Sequence, residues 1–391
     1  MTPLSQHWTL SPDIHFLNHG SFGACPIPVQ KRQQELRDDL ERDPVRFLAR
    51  DLESHLDQAR GALGAFVGAT PDGLAFVSNV TAGINAVLRS LQFSPGDQLV
   101  TTSHEYNASR NVLEFVAHLW GAEVVVAEIP FPIASEDQVV DAIASCLTPR
   151  TKLLLVDHVT SQTALVLPIA RIVAAMESLG IEVLVDGAHA PGMVPLDLEA
   201  LGAQYYAANL HKWVCAPKGS GFLYVREDRR EKIRPTSISH GANSPRTDRS
   251  RYLVEFDWTG TGDPTPWLAV PEALRFVGSL ADGWDGVRQA NHALALAARD
   301  VLCSALDISN PAPDEMIGSM VSVPLPAGTQ SAAPPLYIDP LQQKLLSDFS
   351  IEVPVFPFPG EPARVLRASA QLYNSADQYE LLASALGELL R

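Results

Sequence analysis

Cysteine is scarce in this chain, and the four residues present, Cys25, Cys146, Cys215 and Cys303, show no paired spacing. That pattern excludes a disulfide framework and the close cysteine pairs of zinc-binding modules, so no metal site is expected. Cations are also in short supply, with 29 Lys and Arg against 45 Asp and Glu and a formal net charge of −16. A general affinity for nucleic acid depends on clustered cations and is not expected. The basic stretch around Arg226, Arg229, Arg230 and Lys232 is interrupted by Glu227, Asp228 and Glu231 and reads as a solvated helix face. No apolar run approaches the ~20 residues that a membrane-spanning helix needs. The first residues, Met1 to His7, lack a basic start followed by an apolar core, so no export signal and a cytoplasmic location are expected. Internal repeats and low-complexity tracts are absent as well.

What the chain does have is length and alternation. Its 391 residues exceed the size at which one core stops growing, so two lobes are expected. From about residue 60 to 225, β-branched runs alternate with amphipathic segments, the pattern of an α/β fold with a large, mainly parallel sheet flanked by helices. The predicted strands are 74–78, 98–102, 123–128, 152–157, 181–186, 205–209 and 221–225. Helices are predicted over 81–91, where Ile84, Val87 and Leu88 share a face, and over 169–179, where Ile172, Val173 and Met176 do. Residues 30–63 are charged and helical in pattern, with Leu36, Leu40, Leu48, Leu52 and Leu56 for packing. The stretch 237–263 is polar and rich in turn formers. The lobe boundary is placed just beyond it, giving an N-terminal segment with a large domain over 1–265 and a smaller α+β domain over 266–391.

Two segments carry the chemistry. Ile181 to His189 reads as a buried strand that ends on Asp186, and Asn209 to Trp213 places Lys212 in a loop among polar groups. Ligands of open α/β sheets sit at the carboxyl ends of the strands. A lysine amine that can form a Schiff base, and an acid that keeps a pyridine nitrogen protonated, are what pyridoxal 5'-phosphate requires. The segment Ser78 to Gly83 follows a strand and opens a helix, so Thr81 with the Ala82 and Gly83 amides forms a candidate phosphate cradle. His211 is placed to donate to the same phosphate. For a flat group against the ring, Ser103 to Asn107 offers Tyr106 and His104, of which Tyr106 is preferred. His189, three residues past Asp186, is within reach of the ring's phenolic oxygen.

Phe16 to Gly23, His104 to Ala108, His158 to Ala164, Val185 to His189, His211-Lys212 and Arg364 to Ser369 occur together in this order. They resemble the motifs of class V aminotransferase-fold enzymes, with the isopenicillin N epimerase-like branch as the nearest likeness. The resemblance spans nearly the whole chain and implies the fold type I architecture of pyridoxal-phosphate-dependent transferases. It implies that Lys212 is the Schiff-base lysine, that Asp186 pairs with the pyridine nitrogen, and that Thr81, His211 and Asn209 serve the phosphate. It further implies that Arg367 binds the substrate carboxylate, which suits a guanidinium fork, and that Asn18, Ser161 and Gln162 line the pocket. Thr261 matches a threonine that reaches the phosphate of the partner subunit, which implies a homodimer with shared active sites. One departure matters: related cysteine desulfurases carry a nucleophilic cysteine just before the carboxylate-binding arginine, and residues 356–364 here contain none. Desulfurase chemistry is therefore disfavoured.

The resemblance implies a small amino acid substrate and deprotonation at Cα, followed by one of several fates. Return of a proton on the opposite face, from Tyr106 or His104, makes an amino acid epimerase. Loss of a β-substituent makes a carbon–sulfur lyase acting on a cysteine derivative or S-oxide. Protonation of the cofactor itself makes an aminotransferase. A non-enzymatic scaffold that binds the cofactor idly would have no need of Lys212, Asp186 and Arg367 together.

Overall fold

The structure, a computed structural model, describes residues 2–328, 338–358 and 362–390. In chain order its strands are β1 (His15–Phe16), β2 (Leu74–Val77), β3 (Gln98–Thr102), β4 (Glu123–Ala127), β5 (Thr151–Asp157) and β6 (Glu182–Asp186). They continue with β7 (Tyr205–Asn209), β8 (Gly221–Val225), β9 (Met320–Leu325), β10 (Ile351–Glu352), β11 (Val355–Pro357) and β12 (Arg364–Ser369). The strands β2 to β8 form one seven-stranded sheet in the order β2-β8-β7-β6-β5-β3-β4. Only β8 runs against the others, so the carboxyl ends of β2, β3, β5, β6 and β7 share one edge. The expected strands over 74–225 thus fall within a residue of those observed.

Helices cover both faces, as the unbroken apolar runs require. Side chains alternate along each strand. Val183, Val185, Tyr206 and Ala208 therefore face α1 (Ile27–Arg42), α2 (Leu52–Val67) and their neighbours. Leu184, Tyr205, Ala207 and Leu223 face the opposite layer, which holds α3 (Val80–Ser90) and α4 (Asn107–Trp120). The layer over Val183 and Val185 also holds α5 (Ile169–Ser178), through Ile172, Val173 and Met176.

Two expectations change here. The helical pattern over 30–63 is two helices, because Pro44 has no N–H to continue α1. The Asp43 carboxylate instead accepts from the Arg46 amide at 3.2 Å to start a new turn. The polar stretch 237–263 is not all loop: it holds α6 (Arg251–Phe256), whose Tyr252, Leu253 and Phe256 join the core. Tyr252 donates to the Leu223 carbonyl at 2.7 Å. Six residues of helix are outweighed by their Ser, Arg and Asp surroundings in any window average.

The smaller sheet is antiparallel, in the order β11-β12-β9. Val321, Val323, Leu366 and Ala368 pack on α7 (Gly283–Leu306) and α8 (Ala376–Leu389). The alternation that turns Leu366 and Ala368 toward those helices turns Arg367 the other way, toward the large sheet. β1 pairs in parallel with β10, and Leu17 joins the core of the smaller sheet. Residues 18–23 thereby run from the smaller sheet's core toward the large sheet, over the strand ends. Among the described residues, no helix is long and apolar enough to cross a membrane.

Gly83 sets how closely α3 lies on the sheet: a Cβ there would stand 3.0 Å from the Ala207 Cβ, which is fixed to β7. Gly83→Val is expected to lower stability by about 1–3 kcal/mol through overpacking. Gly61→Ala, in α2 with open space at its Cβ, is the control and is expected to gain roughly 0.5–1 kcal/mol from helix propensity. Denaturant midpoints at constant slope would check both, and equal midpoints for the two variants would refute the packing role.

Candidate active site

Asp186 and Asp157 end adjacent parallel strands and are direct register partners, so their side chains leave the sheet on one face. Glu105, from the turn after β3, joins them, and the three carboxyl groups lie within 4.8 Å of one another, all buried. They are not equivalent. Asp186 accepts from Ser109 Oγ of α4 at 2.8 Å and from the Ala188 amide at 3.0 Å. Glu105 Oε1 and Asp157 Oδ2 have no partner among the described residues. Burial raises all three pKa values, and strongly for Glu105 and Asp157, which also feel the neighbouring carboxylates. The proton-poor member of the trio is therefore Asp186, whose charge two donors and Lys212 support.

Lys212 follows β7 and faces this acidic group. Its Nζ lies 2.9 Å from His189 Nε2, while Trp213 Nε1–H donates to His189 Nδ1 at 3.3 Å. Burial and then the Arg367 charge lower the Lys212 pKa from 10.5 to about 7, against the opposing pull of Asp186 and Asp157. The loop is held from above by residues 18–23. At Gly23, with φ of +69°, a Cβ would stand 2.1 Å from the His211 carbonyl oxygen, so only glycine allows this approach. His19 Nε2–H donates to the Lys212 carbonyl at 3.0 Å, which leaves Nδ1 to accept from the Tyr373 hydroxyl at 2.7 Å.

Arg367 is 1% exposed and has no carboxylate partner among the described residues. Nη1 donates to the Ser161 carbonyl at 2.6 Å, Nη2 to Ser21 Oγ at 3.0 Å and Asn18 Oδ1 at 3.4 Å, and Nε meets nothing. The guanidinium stacks over Phe356, 5.0 Å from the ring centre. Burial lowers its pKa to about 10, so it stays charged at neutral pH. Asn18 is itself held by Glu352 at 3.2 Å. Gln162 borders this group through its backbone, whose carbonyl accepts from Ser322 Oγ at 2.6 Å. Proline and glycine at 359 and 360, with Glu361, lie outside the described residues, so the cysteine-free segment before Arg367 is described only in part.

The start of α3 differs from its expected form. Asn79 caps the helix by accepting from the Ala82 amide at 2.9 Å, and the Gly83 amide donates to the Asn79 carbonyl at 3.2 Å. These two amides are thus occupied, and Gly83 serves packing. Thr81 keeps a partly exposed side chain at this end. Asn209 Oδ1 accepts from the Val80 amide at 3.0 Å, which leaves its NH2 as the available donor. His211 Nδ1 donates to the Ser220 carbonyl at 3.0 Å, and burial lowers its pKa to about 4. Thr261 is exposed and makes no hydrogen bond to these residues.

Tyr106 and His104 separate clearly. His104 is buried, its Nε2–H donates to the Ile129 carbonyl at 3.0 Å, and its Nδ1 accepts from Thr163 Oγ1 at 2.7 Å. Phe358 stands edge-on to it at 5.2 Å. Both nitrogens are engaged and burial lowers its pKa to about 4, so the one proton of the neutral His104 ring is committed to the Ile129 carbonyl. Tyr106 is 48% exposed and starts α4 with its side chain uncommitted. Glu105, Ser109, Asp157 and Trp213 were not read as site residues in the sequence. Asp157 carried a usable signal, since it ends an apolar strand as Asp186 does.

A family model described as aminotransferase class-V matches residues 39–340. Isopenicillin N epimerase of Amycolatopsis lactamdurans is 38% identical, with 97% of this chain and 96% of that protein aligned. The isopenicillin N epimerase of Streptomyces clavuligerus is 34% identical over the same shares. An L-cysteine desulfhydrase of Arabidopsis thaliana is 29% identical, covering 96% of this chain and 87% of that protein. Among solved structures, the cystine C–S lyase C-DES in complex with its product, cysteine persulfide, gives a TM-score of 0.80 at 22% identity over 96% of this chain and 98% of that one.

The lowered amine pKa predicts that reductive methylation of Lys212, followed by peptide mass spectrometry, rises with pH to a midpoint near 7 instead of 10.5. Arg367→Met removes the like charge and is expected to move that midpoint upward. An unchanged midpoint would show that burial alone sets it.

Proposed function

Because this chain belongs to the class V aminotransferase family, we propose that it is a pyridoxal-phosphate-dependent amino acid epimerase of the isopenicillin N epimerase kind. The observation that carries the reading is the pairing of a lysine amine of pKa about 7 with a buried guanidinium that has no carboxylate partner among the described residues. A free amino acid supplies what both lack, a carboxylate for Arg367 and a Cα proton for Lys212. The full-length likeness to two isopenicillin N epimerases selects epimerisation among the possible outcomes.

The residues suit the cofactor. Buried polar atoms without partners among the described residues, Arg367 Nε, Asp157 Oδ2 and Glu105 Oε1, border a site for a polar guest. The donor set is right for it as well: an anionic carboxylate in Asp186, an amine in Lys212, and hydroxyl, amide and imidazole groups near one helix start. Pyridoxal phosphate, when bound, supplies an electron sink for the charge left at Cα. Lys212 anchors it, Asp186 holds a proton at the pyridine nitrogen, and His189 serves the phenolic oxygen. Thr81 and the Asn209 amide would donate to the phosphate, and His211 would join them once the phosphate's charge favours protonation of its Nε2, its Nδ1–H being committed to Ser220. Tyr106 lies against the ring.

In the reaction, Arg367 grips the substrate carboxylate while Asn18 and Ser161 fix the fork, with Gln162 beside them. Lys212, whose pKa of about 7 makes its neutral form available near physiological pH, takes the Cα proton. Tyr106 returns one from the other side, and its uncommitted hydroxyl at the site makes it the second acid. The working assembly is a cytoplasmic homodimer in which Thr261 of each protomer reaches the phosphate held by the other. A second reading, carbon–sulfur lyase, has its own support in the cysteine desulfhydrase relatives and uses the same residues up to Cα deprotonation.

The test is incubation of the cofactor-loaded protein in deuterated water with isopenicillin N, a panel of L-amino acids, cystine and cysteine S-oxides. The expected result is a D-configured product carrying deuterium at Cα, abolished by Lys212→Ala. Tyr106→Phe is expected to lower inversion by about 10²-fold or more while exchange of the starting L-isomer persists. Pyruvate with released sulfur would replace epimerisation by the lyase reading. No exchange with any substrate would overturn both.

A further inference from the structure

His189 meets two neighbours through its two ring nitrogens, Lys212 Nζ at Nε2 and the Trp213 indole at Nδ1. An indole N–H can only donate, so Nδ1 must offer its lone pair. The ring is neutral, because burial first and then the Lys212 and Arg367 charges hold its pKa well below the ordinary value. Its single proton therefore sits on Nε2, pointing at Lys212, and only a neutral amine can receive it. His19, on the other side of the same loop, is fixed by one-way partners too, with the Lys212 carbonyl accepting from Nε2–H.

We propose that Trp213 is a positioning residue that acts through His189: its indole N–H holds the imidazole in the Nε2–H form, which favours neutral Lys212 and presents a donor to the cofactor's phenolic oxygen. The last clause rests on the proposed function, whereas the first two concern the protein alone. Loss of the indole N–H frees Nδ1 to carry the proton. Nε2 then becomes an acceptor, which favours the ammonium form of Lys212. The other ionisable groups around the pair are Asp157, Asp186, Arg367, His19 and His211. None of them hydrogen-bonds to His189 among the described residues, so none can set its tautomer by that route.

The experiment uses 15N-histidine NMR and reductive methylation of Lys212 on the full chain, with and without added pyridoxal phosphate. It compares wild type, Trp213→Phe, His189→Asn, the double variant, and a chain with benzothienylalanine at position 213, which keeps the indole's shape without its N–H. In the wild type, His189 Nδ1 is expected to show the resonance of an unprotonated nitrogen, and Nε2 that of a protonated one. Trp213→Phe and the benzothienyl chain should shift the ring toward the Nδ1–H form and lower Lys212 methylation at pH 7 by roughly three- to tenfold. In the His189→Asn background, Trp213→Phe should add nothing, because its effect passes through the imidazole. With cofactor bound, the pH titration of the visible band should shift in the same two chains. A wild-type Nδ1–H ring, or an equal effect of Trp213→Phe with and without His189, would overturn the proposal. A protein that shows the tautomer but no visible band would instead overturn the cofactor reading and leave the tautomer assignment standing.

Discussion

Lys212 and Arg367 share a desolvated site, and the rest of the chemistry depends on which of them keeps its proton. A guanidinium does not give up its charge in proteins, and Arg367 holds it even at a pKa of about 10. The cost of burying two cations therefore falls on the amine, whose pKa burial and then the Arg367 charge lower to about 7, so that it can act as a base near neutral pH. The same Arg367 that prepares the base also waits for an anion. Arrival of a substrate carboxylate would neutralise the guanidinium and relieve the pressure on Lys212, so binding and the strength of the base are coupled through one charge.

The acidic side of the site divides its protons by the same physics. Three carboxyl groups within 4.8 Å cannot all ionise in a buried place. What separates them is how well each is served by donors: Asp186 accepts two short hydrogen bonds, whereas among the described residues Glu105 Oε1 and Asp157 Oδ2 have no partner and Glu105 Oε2 receives Thr101 only at 3.5 Å. Environment pushes their protonation states apart, which is how one site holds both an anion and proton stores. Asp157 and Asp186 meet because β5 and β6 pair in parallel at that register, so the sheet itself creates the problem that the Ser109 and Ala188 donors resolve.

Much of this was legible in the sequence because the large sheet is buried on both faces. Its strands are short apolar runs that stop at polar residues, and those stops mark the ends where Thr81, Asp186 and Lys212 stand. Residues whose roles come from partners far along the chain were harder. Gly83 reads as a phosphate-binding amide beside a helix start, and only the approach of Ala207 from β7 adds that it also has a packing role. His104 and Tyr106 lie two residues apart with similar chemistry, and the difference between them is the Thr163 and Ile129 contacts that engage one ring and leave the other free. Trp213 is part of the core, but its N–H has a direction that composition does not carry. The helix α6 was hidden for the opposite reason, since its buried face spans too few residues to register against its polar flanks.

Likeness to both epimerases and cysteine desulfhydrases follows from where their reactions divide. In the proposed reading both begin with a carboxylate held by Arg367 and a Cα proton taken by Lys212. Divergence needs only a second acid on the other side, or a substrate that carries a leaving group at Cβ. Tyr106 is the exposed and uncommitted group here, so the part of the site that would choose between the outcomes is also the part least constrained by packing. A fold can therefore keep Lys212, Asp186 and Arg367 in place while the reaction changes around them. Likeness to both kinds of relative consequently argues more strongly for Cα deprotonation than for any one product.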